Sequence, residues 1–285
     1  MNPLLQKFLS WKGEVWAKAE YQNPTGSFKD RGSINEVCAA VRLKKQGVVC
    51  ASTGNMAASL SAYAARARLP CFVVVPQKTP ATKLRQALAC GATLIPVDGS
   101  YDDCVAKAAK ASEDRNFLLC GDYEIRRIGQ RTIGVELAAS GIPFDAFVVP
   151  VGNGTLGCAV SEGFTQENQT PSFIGVQAHG ADPIYRAWKS NDSIIRIIEA
   201  KTIASAINVG NPLDGKRTLE WITKTSGVLF SVSDEEIISA QNLLAQTEGI
   251  FVERAAAATI AVLPGLTSSL PIIVFILTGS GLKES

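Results

Sequence analysis

Residues 23–32 carry the side chains of this sequence that are best suited to chemistry. They begin with an Asn-Pro turn and run into a periodic segment, residues 28–45, that predicts a helix. Lys29 then lies in the first helical turn, where free N–H groups and the helix dipole make the surroundings electropositive. With Arg31 nearby, this setting favours loss of the lysine proton, as Schiff-base chemistry with an aldehyde cofactor requires. Alternatively, Lys29, Asp30 and Arg31 are a solvated charged cluster at an ordinary helix start.

Two glycine-containing loops have the composition of anion-binding turns. Residues 152–157 (Gly-Asn-Gly-Thr-Leu-Gly) follow an apolar strand and open a predicted helix, so that backbone N–H groups there can surround a phosphate. Their spacing matches neither the dinucleotide fingerprint nor a Walker loop, and a plain tight turn is the alternative. Residues 52–55 (Ser-Thr-Gly-Asn) form a second polar cup at a helix start, which capping by Ser52 or Thr53 also explains.

A third loop of small residues, 278–281 (Thr-Gly-Ser-Gly), follows the last predicted strand. It can also be a chain that simply leaves its sheet. A lysine, a phosphate cup and hydroxyl or amide loops, all at strand ends, would together suit pyridoxal phosphate. The residue types alone leave that assignment open.

Short apolar strands alternate with helices along the chain. The strand patterns cover residues 15–20, 47–51, 71–75, 93–97, 117–119, 146–151, 173–177, 228–231 and 272–277. The helix patterns cover residues 28–45, 55–68, 79–89, a segment from 101 onward, 129–140, a segment after 157, 234–246 and 255–263. Such alternation predicts an α/β fold with parallel sheets covered on both faces, which bind ligands at the carboxyl ends of the strands. Residues 192–225 show no clear pattern.

Composition and charge exclude several classes of function. The net charge of the 285 residues is only +2, so neither nucleic acid nor an acidic membrane surface is indicated as a partner. The seven cysteines are odd in number and contain no Cys-x-x-Cys, which favours reduced, packed thiols in a cytoplasmic protein over disulfides or a metal site. Residues 255–277 lack charge, but Pro264-Gly265 and the polar residues 267–269 interrupt them, so we predict a helix, a turn and a strand rather than a membrane span.

Residues 23–32 resemble the cofactor-lysine motif of threonine synthases, within the tryptophan-synthase-β-like class of pyridoxal phosphate enzymes (fold type II). The resemblance continues in order over nearly the whole chain, through residues 52–55, 126–132, 152–157, 204–212, 248–251 and 278–283. Matches that keep their order over such a length are far more specific than any single motif.

The resemblance implies a role for each matching position. Lys29 would bind pyridoxal 5'-phosphate as a Schiff base and then shuttle protons, and Asn55 would hydrogen-bond the phenolic oxygen of the cofactor. Thr278 would place a neutral hydroxyl at the pyridine nitrogen, which favours elimination and replacement at the substrate side chain over transamination. The cofactor phosphate would be held by Gly152, Asn153, Gly154 and Thr155. The substrate would be bound by Ser52, Thr53, Gly54 and Arg126.

The sequence departs from the family where the substrate is concerned. Threonine synthases hold the phosphate of O-phosphohomoserine with an Asn-Ser pair, and the aligned positions here are Cys120 and Gly121. Of that phosphate site only Arg126 matches. The family's Thr-Gly-His-Gly is replaced by Thr-Gly-Ser-Gly at residues 278–281, and its Glu-Pro-Ala-Ser-Ala by Glu-Arg-Ala-Ala-Ala at residues 253–257.

The resemblance implies two open parallel-sheet domains covered by helices, with pyridoxal phosphate in the cleft between them. The large domain would combine residues 1–41 and 135–285, and residues 42–134 would form a smaller mobile domain. The expected activity is that of a threonine synthase-like lyase, which converts O-phosphohomoserine and water to threonine and phosphate. The alternatives are a serine/threonine dehydratase or β-replacement enzyme, and a catalytically weak binding protein on this fold. A homodimer is also implied.

Overall fold

The computed structural model describes residues 13–192, 199–266 and 271–283. Contacts divide the chain into two compact units. The first contains the residues up to Tyr21 together with those from Arg131 onward, and the second runs from Gln22 to Gln130. The domain limits expected from the sequence, at 41/42 and 134/135, stay a prediction, as does the mobility of the smaller domain.

Nine strands lie in the described residues. In chain order they are β1 (Glu14–Lys18), β2 (Gly47–Ala51), β3 (Cys71–Pro76), β4 (Thr93–Val97), β5 (Phe117–Leu119), β6 (Ala146–Pro150), β7 (Ser172–Ala178), β8 (Val228–Val232) and β9 (Ile272–Ile276). The first unit contains a five-stranded sheet of order β1-β9-β6-β7-β8, and the second a four-stranded sheet of order β4-β3-β2-β5. All pairings between these strands are parallel.

Eleven α-helices accompany these strands in the described part of the chain. They are α1 (Lys29–Arg42), α2 (Asn55–Arg66), α3 (Ala81–Ala89), α4 (Tyr101–Arg115), α5 (Glu124–Gln130), α6 (Thr132–Ala138), α7 (Thr155–Gln166), α8 (Pro183–Lys189), α9 (Gly215–Lys224), α10 (Asp234–Glu248) and α11 (Arg254–Ala261). Each predicted strand is present within two residues of its expected limits, and the predicted α/β class with parallel sheets is confirmed.

The smaller sheet has an apolar layer on each face. Val48 and Cys50 pack into one core layer with α2, whereas Val49, between them, belongs to a second layer with α4. Because successive side chains of a strand point to opposite faces, a strand buried on both sides must be apolar throughout, as β2 is. In the larger sheet, Phe147 of β6 stacks on Phe164 and Phe173 with ring centroids 5.7 and 5.0 Å apart.

One helix prediction needs correction, and two helices were not predicted. The helix expected over residues 129–140 is two helices, α5 and α6, which meet at Arg131, and α5 begins five residues earlier than predicted. Helix α8 was not predicted, although Asp182 followed by Pro183 is a helix-start signal, since proline is well tolerated at the first helical position. Helix α9 was not predicted either; it lies in the unassigned region 192–225 and is amphipathic, with Thr218 and Ile222 on its buried face.

The uncharged stretch 255–277 contains most of α11, a 3-10 turn at Leu263–Gly265 and β9, as predicted, while residues 267–270 lie outside the described part. Among the described residues, no helix combines the length and apolar character needed to cross a membrane. All seven cysteines are free thiols, and five of them are buried: Cys50, Cys71, Cys104, Cys120 and Cys158.

Candidate active site

Lys29 is the first residue of α1, and a buried carboxylate shapes the turn that precedes it. Asp30 is 1% exposed and accepts hydrogen bonds from the backbone N–H and the hydroxyl of Thr25, at 2.9 and 2.5 Å. The turn closes through a bond from Gly26 N to Asn23 O at 2.7 Å, with Gly26 at φ 81°. Asp30 is therefore part of the fold of this turn, which argues against a solvated Lys-Asp-Arg cluster.

The ammonium group of Lys29 is paired with a carboxylate that the sequence analysis did not single out. Nζ lies 3.1 Å from Asp122 Oδ1, with 19% of the Lys29 side chain and 13% of the Asp122 side chain exposed. It also lies 4.9 Å from the centre of the Phe28 ring. Asp122 follows β5 by three residues, so its position after a predicted parallel strand was the signal that could have identified it.

Parallel pairing of β2 and β5 brings two polar loops to one edge of the smaller sheet. Residues 52–54 follow β2, with Asn55 as the first residue of α2, and residues 120–122 follow β5. The amide of Gly54 donates to Ser52 Oγ at 3.3 Å. Since Lys29 contacts Asp122, the second unit gathers Lys29, Asn55 and the predicted substrate loop Ser52, Thr53 and Gly54 at this edge.

Tyr101 is a further polar group at this edge that the sequence analysis did not assign. Its hydroxyl donates to the carbonyl of Ala51, the last residue of β2, at 3.1 Å. Tyr101 is 55% exposed, so its burial is only partial; this partial burial, and then the negative charge of Asp122, raise the pKa of the phenol to about 12. The phenol therefore stays neutral near pH 7 and is a hydrogen-bond donor at the edge that carries Lys29.

In the first unit, the loop after β6 has the form of an anion cradle. Gly154 has φ +90°, and a Cβ there would lie 2.2 Å from Thr218 Oγ1, so only glycine fits. Thr155 opens α7 with a buried hydroxyl that has no hydrogen-bond partner among the described residues. Asn153 braces the loop, since its carbonyl accepts from Asp214 N at 2.8 Å and its Oδ1 from Leu213 N at 3.4 Å.

These features fit the phosphate of pyridoxal phosphate. The first N–H groups of α7 and the positive end of its dipole attract an anion, and a glycine backbone allows close approach. An unpartnered buried hydroxyl is costly unless something bonds it, and a phosphate oxygen would accept from Thr155. The residues present therefore fit the cofactor that the family resemblance implies, whose phosphate would be held by Gly152, Asn153, Gly154 and Thr155.

Thr278 leaves the larger sheet at the same edge as this cradle, because β9 and β6 are parallel neighbours. Its hydroxyl lies 3.4 Å from Glu253 Oε1, and both side chains are buried. A Cβ at Gly279 would lie 2.3 Å from the Glu253 carboxyl carbon, so glycine there leaves room for this glutamate. The hydroxyl of Thr278 is neutral, as its predicted role requires, and that role stays a prediction.

Arg126 lies in a different setting from the one expected of a substrate ligand. Its side chain is fully buried and forms an ion pair with Glu36 of α1, which is 2% exposed. Burial raises the pKa of the Glu36 carboxyl, and the charge of Arg126 opposes that rise. A substrate phosphate could reach the guanidinium only by displacing these partners, so the substrate-binding role of Arg126 stays a prediction that this geometry does not favour.

Parallel α/β units with a lysine at one helix start and an anion cradle at another are typical of enzymes that bind a phosphorylated cofactor. The family model described as "Pyridoxal-phosphate dependent enzyme" matches residues 3–279 of the chain. The chain belongs to the pyridoxal-phosphate dependent enzyme family, and pyridoxal phosphate is its cofactor.

The most similar curated relatives include several named threonine synthase. The one from Methanocaldococcus jannaschii is 41% identical, over 98% of this chain and 73% of its own length. The one from Mycobacterium tuberculosis is 38% identical, over 95% of this chain and 77% of its length, and the one from Halalkalibacterium halodurans is 37% identical, over 99% and 81%. The resemblance to threonine synthases is confirmed.

Solved structures with the same fold carry other names. Maize serine racemase superposes with a TM-score of 0.88 at 22% identity, over 98% of this chain and 86% of that one, and indicates the fold alone. A threonine deaminase from T.th. superposes with a TM-score of 0.85 at 26% identity, over 98% and 90%. The names of these two solved structures therefore indicate reactions other than that of the curated relatives.

Proposed function

We propose that this chain is a threonine synthase-like lyase that uses pyridoxal phosphate to convert O-phosphohomoserine and water to threonine and phosphate. The observation that carries this proposal is the 41% identity to a threonine synthase over 98% of the chain. The carbon–oxygen bond broken would be the one between Cγ and the phosphate. The coarser assignment, an enzyme that depends on pyridoxal phosphate, does not rest on this choice of substrate.

In this proposal the cofactor would be held by the residues that match the family's motifs. Lys29 would bind the aldehyde through Nζ, and Asn55 would hydrogen-bond the ring oxygen. Thr278 would face the ring nitrogen, and the cradle Gly152, Asn153, Gly154 and Thr155 would hold the phosphate. When bound, pyridoxal phosphate supplies an electron sink for the carbanion left when a substrate C–H bond breaks.

Lys29 would then move protons at Nζ, and Asp122 would hold the resulting ammonium. Nζ accepts a proton from Cα and later one from Cβ, while phosphate leaves Cγ with the electrons of its C–O bond. Water supplies the hydroxyl at Cβ, protons return to Cγ and Cα, and the remaining proton leaves with phosphate, so that threonine and phosphate account for all atoms of substrate and water. The 3.1 Å contact supports this arrangement, because a carboxylate stabilises a nearby ammonium and limits its mobility.

The substrate carboxylate would be received by Ser52, Thr53 and Gly54, whose backbone precedes α2. Donors at a helix N-terminus are suited to a carboxylate for the same reasons that suit them to a phosphate.

The small-molecule amino-acid substrate, the homodimer and the cytoplasmic location stay predictions. The described residues contain no group of three or more histidine, cysteine, aspartate or glutamate side chains placed to hold a metal ion.

A second candidate is a serine/threonine dehydratase or β-replacement enzyme, and the surroundings of Lys29 favour it specifically. The positions where threonine synthases hold the substrate phosphate are Cys120, which is 3% exposed, and Gly121. Asp122 adds a negative charge beside Lys29, which repels a substrate dianion. A neutral hydroxyl side chain, as in serine or threonine, would meet no such repulsion.

A product assay tests the proposal. The purified full chain, loaded with pyridoxal phosphate, is offered O-phosphohomoserine, and released phosphate and threonine are quantified together with any 2-keto acid. Equal release of phosphate and threonine is expected. The Lys29→Arg variant, which keeps the charge but hardly forms a Schiff base, is the control and should release neither.

Serine and threonine are assayed in parallel. Formation of 2-keto acid from either of them, with no threonine from O-phosphohomoserine, would overturn the leading proposal and select the dehydratase. Turnover of none of the three substrates by protein that binds the cofactor would favour a catalytically weak binding protein.

A further inference from the structure

The buried ion pair of Glu36 and Arg126, here called the clamp, holds both segments that position Lys29 and Asp122. Glu36 lies in the middle of α1, two turns after Lys29, and Arg126 lies in α5, four residues after Asp122. Both side chains are almost completely buried, at 2% and 0% exposed. Replacing a buried ion pair with apolar residues is often neutral for stability, so stability alone does not explain why this pair is present.

On one side the clamp holds the residue next to Asp122. The amide of Gly121 donates to Glu36 Oε1 at 3.0 Å, and the carbonyl of Gly121 accepts from Arg126 Nε at 3.1 Å. Arg126 Nε also lies 3.2 Å from Glu36 Oε1. Both polar backbone groups of Gly121 are therefore bonded to the pair, which fixes the start of the segment that carries Asp122.

On the other side the same guanidinium holds Lys29. Arg126 Nη1 donates to the carbonyl of Lys29 at 3.3 Å, and Nη2 donates to Ser33 Oγ at 3.3 Å and to Glu36 Oε2. One planar group thus bonds the backbone of Lys29 and the backbone of Gly121 together, as the rigid fork of arginine permits and a lysine would not.

Two glycines leave room for this arrangement. A Cβ at Gly32 would lie 2.5 Å from Arg126 Cγ, and a Cβ at Gly129 would lie 2.2 Å from the carbonyl oxygen of Arg31. The α1 and α5 backbones therefore come close at Gly129, and the Arg126 side chain lies against α1 at Gly32. The contacts of Arg126 described above all lie within the second unit.

We propose that the clamp is a positioning pair, which sets the Nζ of Lys29 against the carboxylate of Asp122 by bonding the backbones of Lys29 and Gly121. In this assignment Arg126 acts through Lys29 and does not bind the substrate. The proposal rests on the proposed function only in that Lys29 is the residue that binds pyridoxal phosphate.

The titratable groups that face the clamp lie on three elements. Burial raises the pKa of Cys50 on β2 and of Cys120 after β5 well above the usual value, and Glu36 adds to both rises. Asp122 lies near both members of the pair, and Tyr101 of α4, with a pKa raised to about 12 by burial and by Asp122, lies near Asp122. These thiols and the phenol stay neutral near pH 7, so they add no charge beside the clamp in that range.

A double-mutant cycle tests the proposal without any amino acid present, so that lost substrate contacts cannot contribute. The full chain is incubated with pyridoxal 5'-phosphate, bound cofactor is fixed with borohydride, and the fraction attached at Lys29 is measured by peptide mass against pH. Asp122→Asn is made in the native background, in the double variant Glu36→Leu/Arg126→Met, and in Arg126→Lys. The matched control background is Arg131→Met/Glu162→Leu, which removes a pair 3.0 Å apart in the other unit.

In the native and control backgrounds, Asp122→Asn is expected to move the midpoint of the pH profile to lower pH, because a carboxylate favours the ammonium form of a lysine. In the double variant this shift should fall to less than about a third of the native shift, with an intermediate shift in Arg126→Lys. Equal shifts in all folded backgrounds would overturn the proposal and leave the clamp a structural pair. If the double variant does not fold, Arg126→Lys alone decides. Absence of attachment at Lys29 in the native chain would instead contradict the proposed function.

Discussion

At the residue scale, Lys29 has a different electrostatic partner from the one its sequence neighbours suggest. The sequence places Arg31 two residues away, but the structure puts Nζ 3.1 Å from the carboxylate of Asp122. A carboxylate favours the charged form of a lysine, whereas a neighbouring cation disfavours it. The two residues are 93 positions apart in the sequence, so a local sequence pattern cannot reveal their contact.

Asp122→Asn removes the charge of this pair and keeps its shape. We expect attachment of pyridoxal phosphate at Lys29 to extend to lower pH, because the ammonium loses its partner. The measurement is borohydride trapping across pH in the otherwise native chain.

The control for this prediction is Asp114→Asn, which makes the same change in an exposed pair with Lys110. It should leave the profile unchanged. An unchanged profile in Asp122→Asn would mean that Asp122 does not govern the reactivity of Lys29.

At the element scale, the start of α7 combines a left-handed backbone conformation with a buried hydroxyl group that is suited to bind phosphate. Gly154 caps the helix in the left-handed region, at φ +90°, and Thr155 follows with a buried, unpartnered hydroxyl. The composition of residues 152–157 predicted this cradle, because glycines before a helix are typical of phosphate loops. The bracing contacts from Leu213 and Asp214 to Asn153 could not be predicted, since they come from the region where the sequence showed no pattern.

Gly154→Ala is expected to cost more than the conformational penalty of a positive φ. That penalty is about 1–2 kcal/mol, and the new Cβ would also lie 2.2 Å from Thr218 Oγ1. Loss of the cradle geometry should weaken pyridoxal phosphate binding at least about tenfold. Chemical denaturation and fluorescence titration with the cofactor measure the two effects.

Gly141→Ala separates these contributions. Gly141 has φ +77° in the same unit, but a Cβ at this position would have nothing within 4 Å. This variant should show only the conformational penalty and bind the cofactor normally. If Gly154→Ala behaved in the same way, the phosphate cradle would have been misplaced.

At the scale of the whole molecule, the two sheets were largely predictable and their helical surroundings less so. Strands β2, β4 and β5 have the limits that their sequence patterns predicted, and β2, which is buried on both faces, is apolar throughout. Helix α9 was missed because its buried face is partly polar, through Thr218. The clamp was missed because glutamate and arginine predict exposed positions, and only the fold shows that they are buried together.

The family and its cofactor followed from the order of several motifs, whereas the substrate did not. Cys120 and Gly121 stand where threonine synthases have the Asn-Ser pair that binds the substrate phosphate. Asp122 adds a negative charge, which repels a phosphate group. The motifs predicted to bind the cofactor are thus retained, while the loop of residues 120–122 has changed. We expect substrate differences within this family to appear mainly in this loop.

The most direct test of the central claim is to identify the residue that binds the cofactor. The full chain is incubated with pyridoxal 5'-phosphate and reduced with borohydride, and the modified peptide is sequenced by mass spectrometry. The account predicts one major modified site, Lys29, and its loss in Lys29→Ala with normal folding. Modification at another lysine, or undiminished modification of Lys29→Ala, would contradict it.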